Sequence, residues 1–312
     1  MPIYAVDKPL NFTSHDVVAR SRKLLKTRKI GHTGTLDPLA TGVLVLCVED
    51  STKLVQFMEA DSKDYLAFIA VGAATLTLDA EGPITEKTPS PLPNPKKIQE
   101  VLKGFLGPQQ QIPPQFSAIQ VGGVRAYDIA RQGGSIELPA RSITLHELTL
   151  LGISSTQDMQ HLRFGPAEKG WSITESGQAF PFPEQLGDFP VLVVRCSVSS
   201  GSYIRALARD VGLALDMPAH LAGLVRTRAG KYHLQDCVSL EQLPEATGYS
   251  ELTALDFPVL EVDAELAKRL RSGQKIRHDQ EGRFVVLHEN ELVAVAEVTE
   301  GVLRVLRVWH GS

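Results

Sequence analysis

Cysteine is scarce in this sequence, and the few residues present are far apart. The 312 residues include Cys47, Cys196 and Cys237, an odd number with no short spacing between any two. A disulfide framework needs paired cysteines, and a zinc knuckle needs two of them a few residues apart. The sequence therefore argues against both kinds of site, and we expect buried, unreactive thiols.

Long hydrophobic runs are also lacking. Runs such as Val43–Val48 are far shorter than the ~20 apolar residues of a membrane-spanning helix. The first residues, MPIYAVDKPL, have no basic leader, apolar segment or small-residue cleavage site. We therefore expect a cytoplasmic protein that does not associate with membranes.

The formal net charge of −4 argues, taken alone, against a nucleic-acid partner. Binding depends, however, on where the charges lie. Residues 20–29, RSRKLLKTRK, carry six basic side chains and no acid. A second basic cluster comprises Arg205, Arg209, Arg226, Arg228 and Lys231. A single run of this kind is usually a solvated helix face, but two of them beside unusual polar motifs indicate a phosphate-binding groove.

The periodicity of apolar residues predicts alternating helices and strands in the first 250 residues. Residues 13–27 begin with a helix N-cap, Thr13 or Ser14, and then place apolar residues at helical spacing. Residues 51–60 predict a short helix, and residues 63–72 a strand with Tyr65 on the same face as three apolar residues. A further helix from Ser202 would bring side chains of its first turn to a cleft.

Length and composition suggest roughly two domains. We predict one domain over residues 1–250 and a small β-rich module over residues 257–312, with a hairpin around Glu289 and Asn290. Residues 152–190 are rich in Gly, Ser, Gln and Pro and show little pattern. We expect them to form a surface insertion in the first domain.

The stretch GHTGTLDPLATGVL, residues 31–44, contains the candidate for a chemical role, Asp37. No lysine follows Gly42, so a phosphate-binding P-loop is excluded, and there is no GxSxG elbow elsewhere. The nine histidines form no HExxH motif and no close pair with cysteine. As a bare dipeptide, Asp-Pro is most often a structural turn, but this one leads directly into a buried strand close to basic residues.

The stretch around Asp37 resembles the catalytic loop of the TruB family of pseudouridine synthases, which isomerise the T-loop uridine of tRNA. Other segments resemble that family's motifs in the same order along nearly the whole chain. They are VDKPLNFTSHD, KDYLAFIAVG, IPPQFSAIQVGGVRAYDIAR, GSYIRALARDVG and AHLAGLVRTRAGKY. The resemblance implies an α+β pseudouridine synthase fold, with a mixed, largely antiparallel sheet flanked by helices. It also implies that residues 257–312 form a small, β-barrel-like PUA domain that binds RNA.

The resemblance also implies the roles of individual residues. Asp37 aligns with the nucleophilic aspartate, Tyr65 with the tyrosine that stacks on the target base, and Arg205 with the arginine paired to the aspartate. The residues expected to bind substrate are His32, Tyr203, Leu224, Lys8, Pro9 and Arg226. Of these, Lys8 and Pro9 are expected to line the same cleft as Asp37.

Pseudouridine formation breaks a glycosidic C–N bond, turns the same base over and rejoins it through carbon. The reaction needs a carboxylate near the sugar or base and a pocket that retains the detached uracil. An arginine beside the carboxylate keeps it ionised. We therefore expect no cofactor and no metal, with His32 filling the gap left by a flipped base.

The expected partner is the T-arm of tRNA, bound by a monomer without a guide RNA. The sequence leaves two alternative functions open. The same chemistry could act on another RNA, including in guide-dependent relatives, or the chain could be an RNA-binding or tRNA-folding protein with vestigial catalysis. The chain departs from the family at Phe116, Gln120 and Leu76, which affects expected RNA contacts and not the chemistry.

Overall fold

A computed structural model describes residues 2–58, 62–88, 91–92, 94–117, 119–121 and 123–309. The helices are α1 (Ser14–Leu24), α2 (Val55–Met58), α3 (Pro95–Gly104), α4 (Ala126–Arg131), α5 (Ile204–Ala214) and α6 (Ala264–Arg271). Short 3-10 helices cover Glu49–Leu54, Met159–His161, Leu234–Asp236, Leu243–Glu245 and Glu251–Thr253. The last two residues of the helix predicted over 51–60 lie outside the described residues.

The first strands of the chain are β1 (Pro2–Lys8), β2 (Ile30–His32), β3 (Ala40–Val48), β4 (Lys63–Val71), β5 (Ala73–Thr75), β6 (Ile84–Lys87), β7 (Gly107–Gln111), β8 (Gln120–Val121), β9 (Val124–Arg125) and β10 (Arg141–Ser155). The remaining strands are β11 (Phe164–Ala167), β12 (Gly170–Ile173), β13 (Pro190–Val198), β14 (Ala219–Ala229), β15 (Tyr232–His233), β16 (Tyr249–Ser250), β17 (Val259–Glu261), β18 (Ile276–Arg277), β19 (Gly282–His288), β20 (Glu291–Thr299) and β21 (Val302–Val308).

Ten of the described strands form one large sheet in the order β16-β1-β3-β14-β4-β13-β10-β7, with β2 paired to β3 and β15 to β14. All of its pairs are antiparallel except β14 with β3. One face packs against α3 and α5 through a core that contains Tyr65, Ala67, Ile69 and Val71. The predicted mixed, largely antiparallel sheet with flanking helices is therefore confirmed, as is the shared face of these four residues.

Helix α1 begins where the sequence indicates. Thr13 is the N-cap, because its side chain accepts a hydrogen bond from Asp16 N and the Asp16 carboxylate accepts one from Thr13 N. This reciprocal capping satisfies two of the free N–H groups at the helix start. Val17, Val18 and Ser21 face the sheet and are buried, which turns the basic residues of α1 outward.

Residues 152–190 contain regular structure that the sequence did not predict. The segment continues β10, forms the β11–β12 hairpin and buries aromatic rings on the face of the sheet opposite α3 and α5. Phe164 packs edge-on against Phe68 with the ring centres 5.6 Å apart, and Phe182 lies 4.5 Å from the same ring. Most of the other residues of the segment are exposed or partly exposed, and its description as a surface insertion stays a prediction. The buried rings were not predicted because the apolar residues are widely spaced and match neither helix nor strand periodicity.

The C-terminal region forms a second, five-stranded sheet in the order β17-β19-β20-β21-β18, with α6 packed on it. Glu289 and Asn290 both have positive φ angles, of 50° and 64°, and make the predicted hairpin turn between β19 and β20. Trp309 is buried in a core that includes residues of the large sheet, and Lys53 Nζ lies 5.4 Å from its ring centre. Among the described residues no helix is long and apolar enough to cross a membrane.

Candidate active site

Four neighbouring strands place a row of residues beneath the loop that carries Asp37. Lys8 on β1 pairs with Gly42 on β3, Gly42 pairs with Arg226 on β14, and Arg226 pairs with Tyr65 on β4. Gly42 has a φ angle of +97°, and a Cβ added there would lie 2.3 Å from the carbonyl oxygen of Arg226. Only glycine allows β3 and β14 to approach this closely.

The Asp37 loop, residues 33–39, is fixed to α1 and to the end of β1 by hydrogen bonds. Ser14 Oγ accepts from Leu36 N at 2.8 Å and donates to Leu36 O at 3.2 Å. Asn11 N donates to Pro38 O at 2.9 Å, and Lys8 Nζ lies 3.4 Å from the same oxygen. With its backbone polar groups bonded in this way, the loop holds Asp37 in a defined position.

The Asp37 carboxylate is bound at two points by Arg205 of α5. Arg205 Nε lies 2.9 Å from Oδ2, and Nη2 donates to Oδ1 at 3.2 Å. The guanidinium is nearly buried, whereas the Asp37 side chain is 37% exposed. This two-point geometry fixes both carboxylate oxygens and places a permanent positive charge beside them.

Arg205 is itself held by groups from two other segments. It donates to the carbonyl oxygens of Thr77 at 3.1 Å and of Phe116 at 3.0 Å. A second carboxylate, that of Asp79, lies 3.5 Å from Nη1. Because the bond to Phe116 uses the backbone, the departure from the family at this position does not affect it.

Asp79, which was not predicted from the sequence, is almost completely buried next to Arg205. Burial raises the pKa of the Asp79 carboxyl group, while Arg205 and a hydrogen bond from the Thr77 hydroxyl act in the opposite direction. Glu81 N also donates to Asp79 Oδ1 at 3.1 Å. In the sequence, only the position of Asp79 within the segment VGAATLTLDAEG, residues 71–82, indicated a role for it.

A cavity of about 1150 Å³ opens above Asp37. Six of the predicted site residues line it, namely Asp37, Tyr65, Tyr203, Arg205, Leu224 and Arg226. Tyr65 and Leu224 are buried in its wall, and burial raises the pKa of the Tyr65 hydroxyl above its usual range. The cavity therefore combines a carboxylate with an aromatic and aliphatic wall that can hold a flat, weakly polar ring.

Tyr203 is the N-cap residue of α5, and its backbone is clamped by a side chain from β7. Gln111 Nε2 donates to Tyr203 O at 3.1 Å, and Tyr203 N donates to Gln111 Oε1 at 2.8 Å. Gln111 is buried. Gln111 thus supplies the partner of Tyr203 N and adds a second bond to Tyr203 O, which also accepts from Leu207 N, at the start of the helix that carries Arg205. Gln111 was not predicted from the sequence.

His32 ends β2 and lies beside the cavity rather than among its lining residues. Its ring meets that of His15, which does line the cavity, in an edge contact with the centres 5.8 Å apart. Burial, helped by His15 and Arg226, lowers the pKa of His32 to about 4. His32 is therefore a neutral ring at neutral pH.

Lys8 and Pro9 do not line the Asp37 cavity. They line a neighbouring depression of about 780 Å³, bounded on its other side by Arg20 and Lys23. The Lys8 ammonium is buried beneath the Asp37 loop and donates to Pro9 O at 3.0 Å and to Phe12 O. Burial lowers the pKa of Lys8 to about 8, and the residue supports the loop from below.

The two basic clusters are used differently. Arg20, Lys23, Lys26 and Arg28 are exposed and form no ion pair with any described residue. In the second cluster Arg205 and Arg226 are buried, and the others are paired internally. The pairs are Arg209 with Asp210, Arg228 with Asp64 and Lys231 with Asp256. Phosphate binding by the two clusters stays a prediction, and the structure leaves these four side chains of the first cluster exposed while it pairs or buries those of the second.

The described residues contain no group of three or more His, Cys, Asp and Glu side chains that could hold a metal ion. Among the described residues, the charged and phenolic side chains that line the cavity are three carboxylates (Asp37, Asp79 and Glu81), three arginines (Arg131, Arg205 and Arg226), Lys63 and three tyrosines (Tyr65, Tyr127 and Tyr203). This set suits attack by a carboxylate or proton transfer on a bound heterocyclic base.

Two comparisons identify related sequences. Residues 22–165 match the model of the TruB family pseudouridylate synthase N-terminal domain, and residues 205–267 match that of the tRNA pseudouridylate synthase B C-terminal domain. The tRNA pseudouridine synthase B of Deinococcus deserti is 57% identical over 309 residues, covering 99% of this chain and 100% of the relative. That of Thermus thermophilus is 43% identical and covers 99% of both chains.

The fold is also similar to that of solved structures. A Cbf5-Nop10-Gar1 complex contains a chain that matches with a TM-score of 0.67 at 22% identity, covering 98% of this chain and 84% of that one. An H/ACA RNP bound to a substrate RNA containing 2'-deoxyuridine matches with a TM-score of 0.65 at 21% identity, covering 99% and 85%. At these identities the likeness concerns the fold alone. With both family models and near full-length relatives in agreement, this chain belongs to the TruB family of pseudouridylate synthases.

Proposed function

We propose that this enzyme converts one uridine of tRNA, the T-loop uridine at position 55, to pseudouridine without a cofactor, with Asp37 as the nucleophile. The observation that carries the proposal is the Asp37 carboxylate, held at two points by Arg205 at the mouth of a cavity whose wall contains Tyr65. The relatives named tRNA pseudouridine synthase B, similar over almost their entire length, support tRNA as the substrate.

The reaction conserves all atoms of the nucleotide. The bond between N1 and C1′ breaks, a bond between C5 and C1′ forms, C5 loses a proton and N1 gains one. Asp37 acts either by adding covalently to the sugar or base or by taking a proton as the glycosidic bond breaks. Tyr65 stacks on the uracil, and Leu224 and Tyr203 confine it while it turns over.

The target base must leave a folded RNA loop before it can enter the cavity, at a cost of a few kcal/mol. His32 is the candidate to fill the vacated position, because it lies beside the cavity and five residues before Asp37. A neutral imidazole suits this role, since it stacks between bases without the cost of burying a charge.

The exposed cationic face of α1 is the proposed contact for RNA phosphates. His15 of the same helix lines the cavity, and Arg20 and Lys23 line the neighbouring depression. We also propose that residues 257–312 bind RNA as a PUA-like module and that residues 1–250 form the catalytic domain. A monomer that acts in the cytoplasm without a guide RNA completes the proposal.

The test is to incubate the purified chain with unmodified tRNA and to map pseudouridine at single-nucleotide resolution. The expected result is a single product at position 55 in the absence of any other RNA or protein. A product at another position contradicts the proposed substrate. Activity that requires an added guide RNA assigns the chain to the guide-dependent alternative. Rescue of tRNA folding with no product under any condition favours the RNA-folding alternative.

A further inference from the structure

Arg226 is buried in the cavity wall, but no carboxylate of a described residue pairs with its guanidinium. Only 1% of its surface is exposed, and it forms no ion pair with any residue that the structure describes. A buried, unpaired charge is costly unless its donors are satisfied. The bonds that Arg226 makes therefore indicate why a charged side chain lies in this wall.

The donors of Arg226 are satisfied by the loop that carries Asp37 and by the strand that follows. Nη2 donates to Gly34 O at 3.1 Å, and Nη1 lies 3.5 Å from Thr35 O. Nε donates to Val43 O at 2.6 Å, within strand β3, which follows the loop. One guanidinium therefore ties the start of the Asp37 loop to β3, with Gly42 providing the space for β14 to pass.

Arg226 also faces Tyr65 directly. The two residues are partners across β14 and β4, and both line the cavity. The positive charge of Arg226 opposes the effect of burial on the pKa of the Tyr65 hydroxyl. The same cation thus bonds to the loop behind the nucleophile and lies opposite the aromatic side chain expected to face the base.

We propose that Arg226 is a positioning residue, which holds the Tyr65 hydroxyl and the Asp37 loop in register and does not contact the RNA. This inference rests on the proposed function, and it replaces the expectation that Arg226 binds substrate. Its planar fork reaches several acceptors at once, which a lysine ammonium on a flexible stem does not do in this geometry.

The test compares Arg226→Met and Arg226→Lys with the parent by tRNA binding and by single-turnover pseudouridine formation. Misplacement of reacting groups by about 1 Å costs on the order of 100-fold in rate. We expect this loss in Arg226→Met, with a dissociation constant for tRNA within about threefold of the parent's and a smaller rate loss in Arg226→Lys. Arg195→Met is the matched control, since Arg195 on β13 is also largely buried but bonds to Glu147 and to Trp171 O away from the cavity.

A double-mutant cycle with Tyr65→Phe tests the connection between the two residues. If Arg226 acts through the hydroxyl, the Arg226→Met loss shrinks to less than about tenfold in the Tyr65→Phe background. Fully multiplicative losses, weakened tRNA binding that accounts for the slower rate, or full activity in Arg226→Lys would each overturn the proposal. Should Arg226→Met fail to fold, the same cycle is run with Arg226→Lys.

An inactive parent enzyme would be a failure of the proposed function and not of this inference, because the comparison requires an active parent. An active parent whose Arg226 variants keep the parent's rate would overturn the inference and leave the proposed function intact.

Discussion

Arg205 and Asp37 are 168 residues apart in the chain, yet the guanidinium of one meets both carboxylate oxygens of the other at 2.9 and 3.2 Å. The loop behind Asp37 is bonded to Ser14 and Arg226, and the helix behind Arg205 is clamped by Gln111. The Asp37–Arg205 pair therefore joins two elements, each fixed by its own hydrogen bonds.

Gly42→Ala should destabilise the protein strongly. The added Cβ would lie 2.3 Å from the carbonyl oxygen of Arg226 at a φ of +97°. Overpacking costs about 1–3 kcal/mol, and left-handed strain adds about 1 kcal/mol. Equilibrium unfolding in urea should therefore show a loss of about 3 kcal/mol. Gly273→Ala, with a φ of +78° and no atom within 4 Å of the added Cβ, should lose only about 1 kcal/mol. Equal losses in the two variants would contradict the close approach of β3 and β14.

Gln111→Leu should slow catalysis without weakening RNA binding to the same degree. The substitution leaves the backbone N–H of Tyr203 without its partner and its C=O with only the bond from Leu207 N, so the helix that carries Arg205 is less well fixed. We expect kcat to fall by about 10–100-fold, measured at saturating tRNA. Gln110→Leu, on the exposed side of the same strand, should behave like the parent. A parental kcat in Gln111→Leu would show that the clamp does not position α5.

The sequence predicted Asp37, Tyr65 and Arg205 because each lies in a contiguous segment that resembles a family motif. Gln111 could not be found in this way, because its bonds join side chain to backbone across 92 residues and leave no periodic pattern. Asp79 could not be found for the same reason. It contacts Arg205 only because the fold brings residues 77–79, Phe116 and helix α5 together.

The two basic clusters could not be distinguished from the sequence for a related reason. The acid that pairs with Arg228 is Asp64, 164 residues away, so the neutralisation of that cluster depends on the sheet topology. The aromatic residues of 152–190 were missed because their burial is created by tertiary contacts with Phe68, without local periodicity.

His32 should make the protein sensitive to acid. Its pKa is about 4 in the folded state against an ordinary 6.5, so the unfolded chain binds a proton more readily over this interval. The free energy of unfolding contributed by neutral His32 is present above pH 6.5 and is lost as the pH falls towards 4. Between pH 7 and 4.5 the parent should lose about 2 kcal/mol more than His32→Gln in urea unfolding. The exposed His146→Gln should lose as much as the parent. Identical acid profiles for the parent and His32→Gln would contradict the burial of His32.

The cationic face of α1 should contribute to RNA affinity through phosphates. A triple variant, Arg20→Gln and Lys23→Gln in α1 with Lys26→Gln just after its end, should raise the dissociation constant for tRNA. The logarithm of this dissociation constant rises with the logarithm of the salt concentration. The slope of that line should fall by about 0.7–0.9 for each phosphate that the variant no longer binds. The matched control is Lys96→Gln, Lys97→Gln and Lys103→Gln, three exposed lysines of α3. If the two triple variants have the same salt slope, α1 does not bind the RNA.

The central claim is that the Asp37 carboxylate performs the chemistry, and single-turnover pseudouridine formation with Asp37→Asn tests it most directly. Asparagine keeps the size of the side chain and removes its charge, and Asp64→Asn, in the ion pair with Arg228, serves as the control. The account predicts that Asp37→Asn binds tRNA within about threefold of the parent but forms product at least about 1,000-fold more slowly, on the order of the loss expected for an essential nucleophile. Product formation by Asp37→Asn at the parent's rate would contradict it.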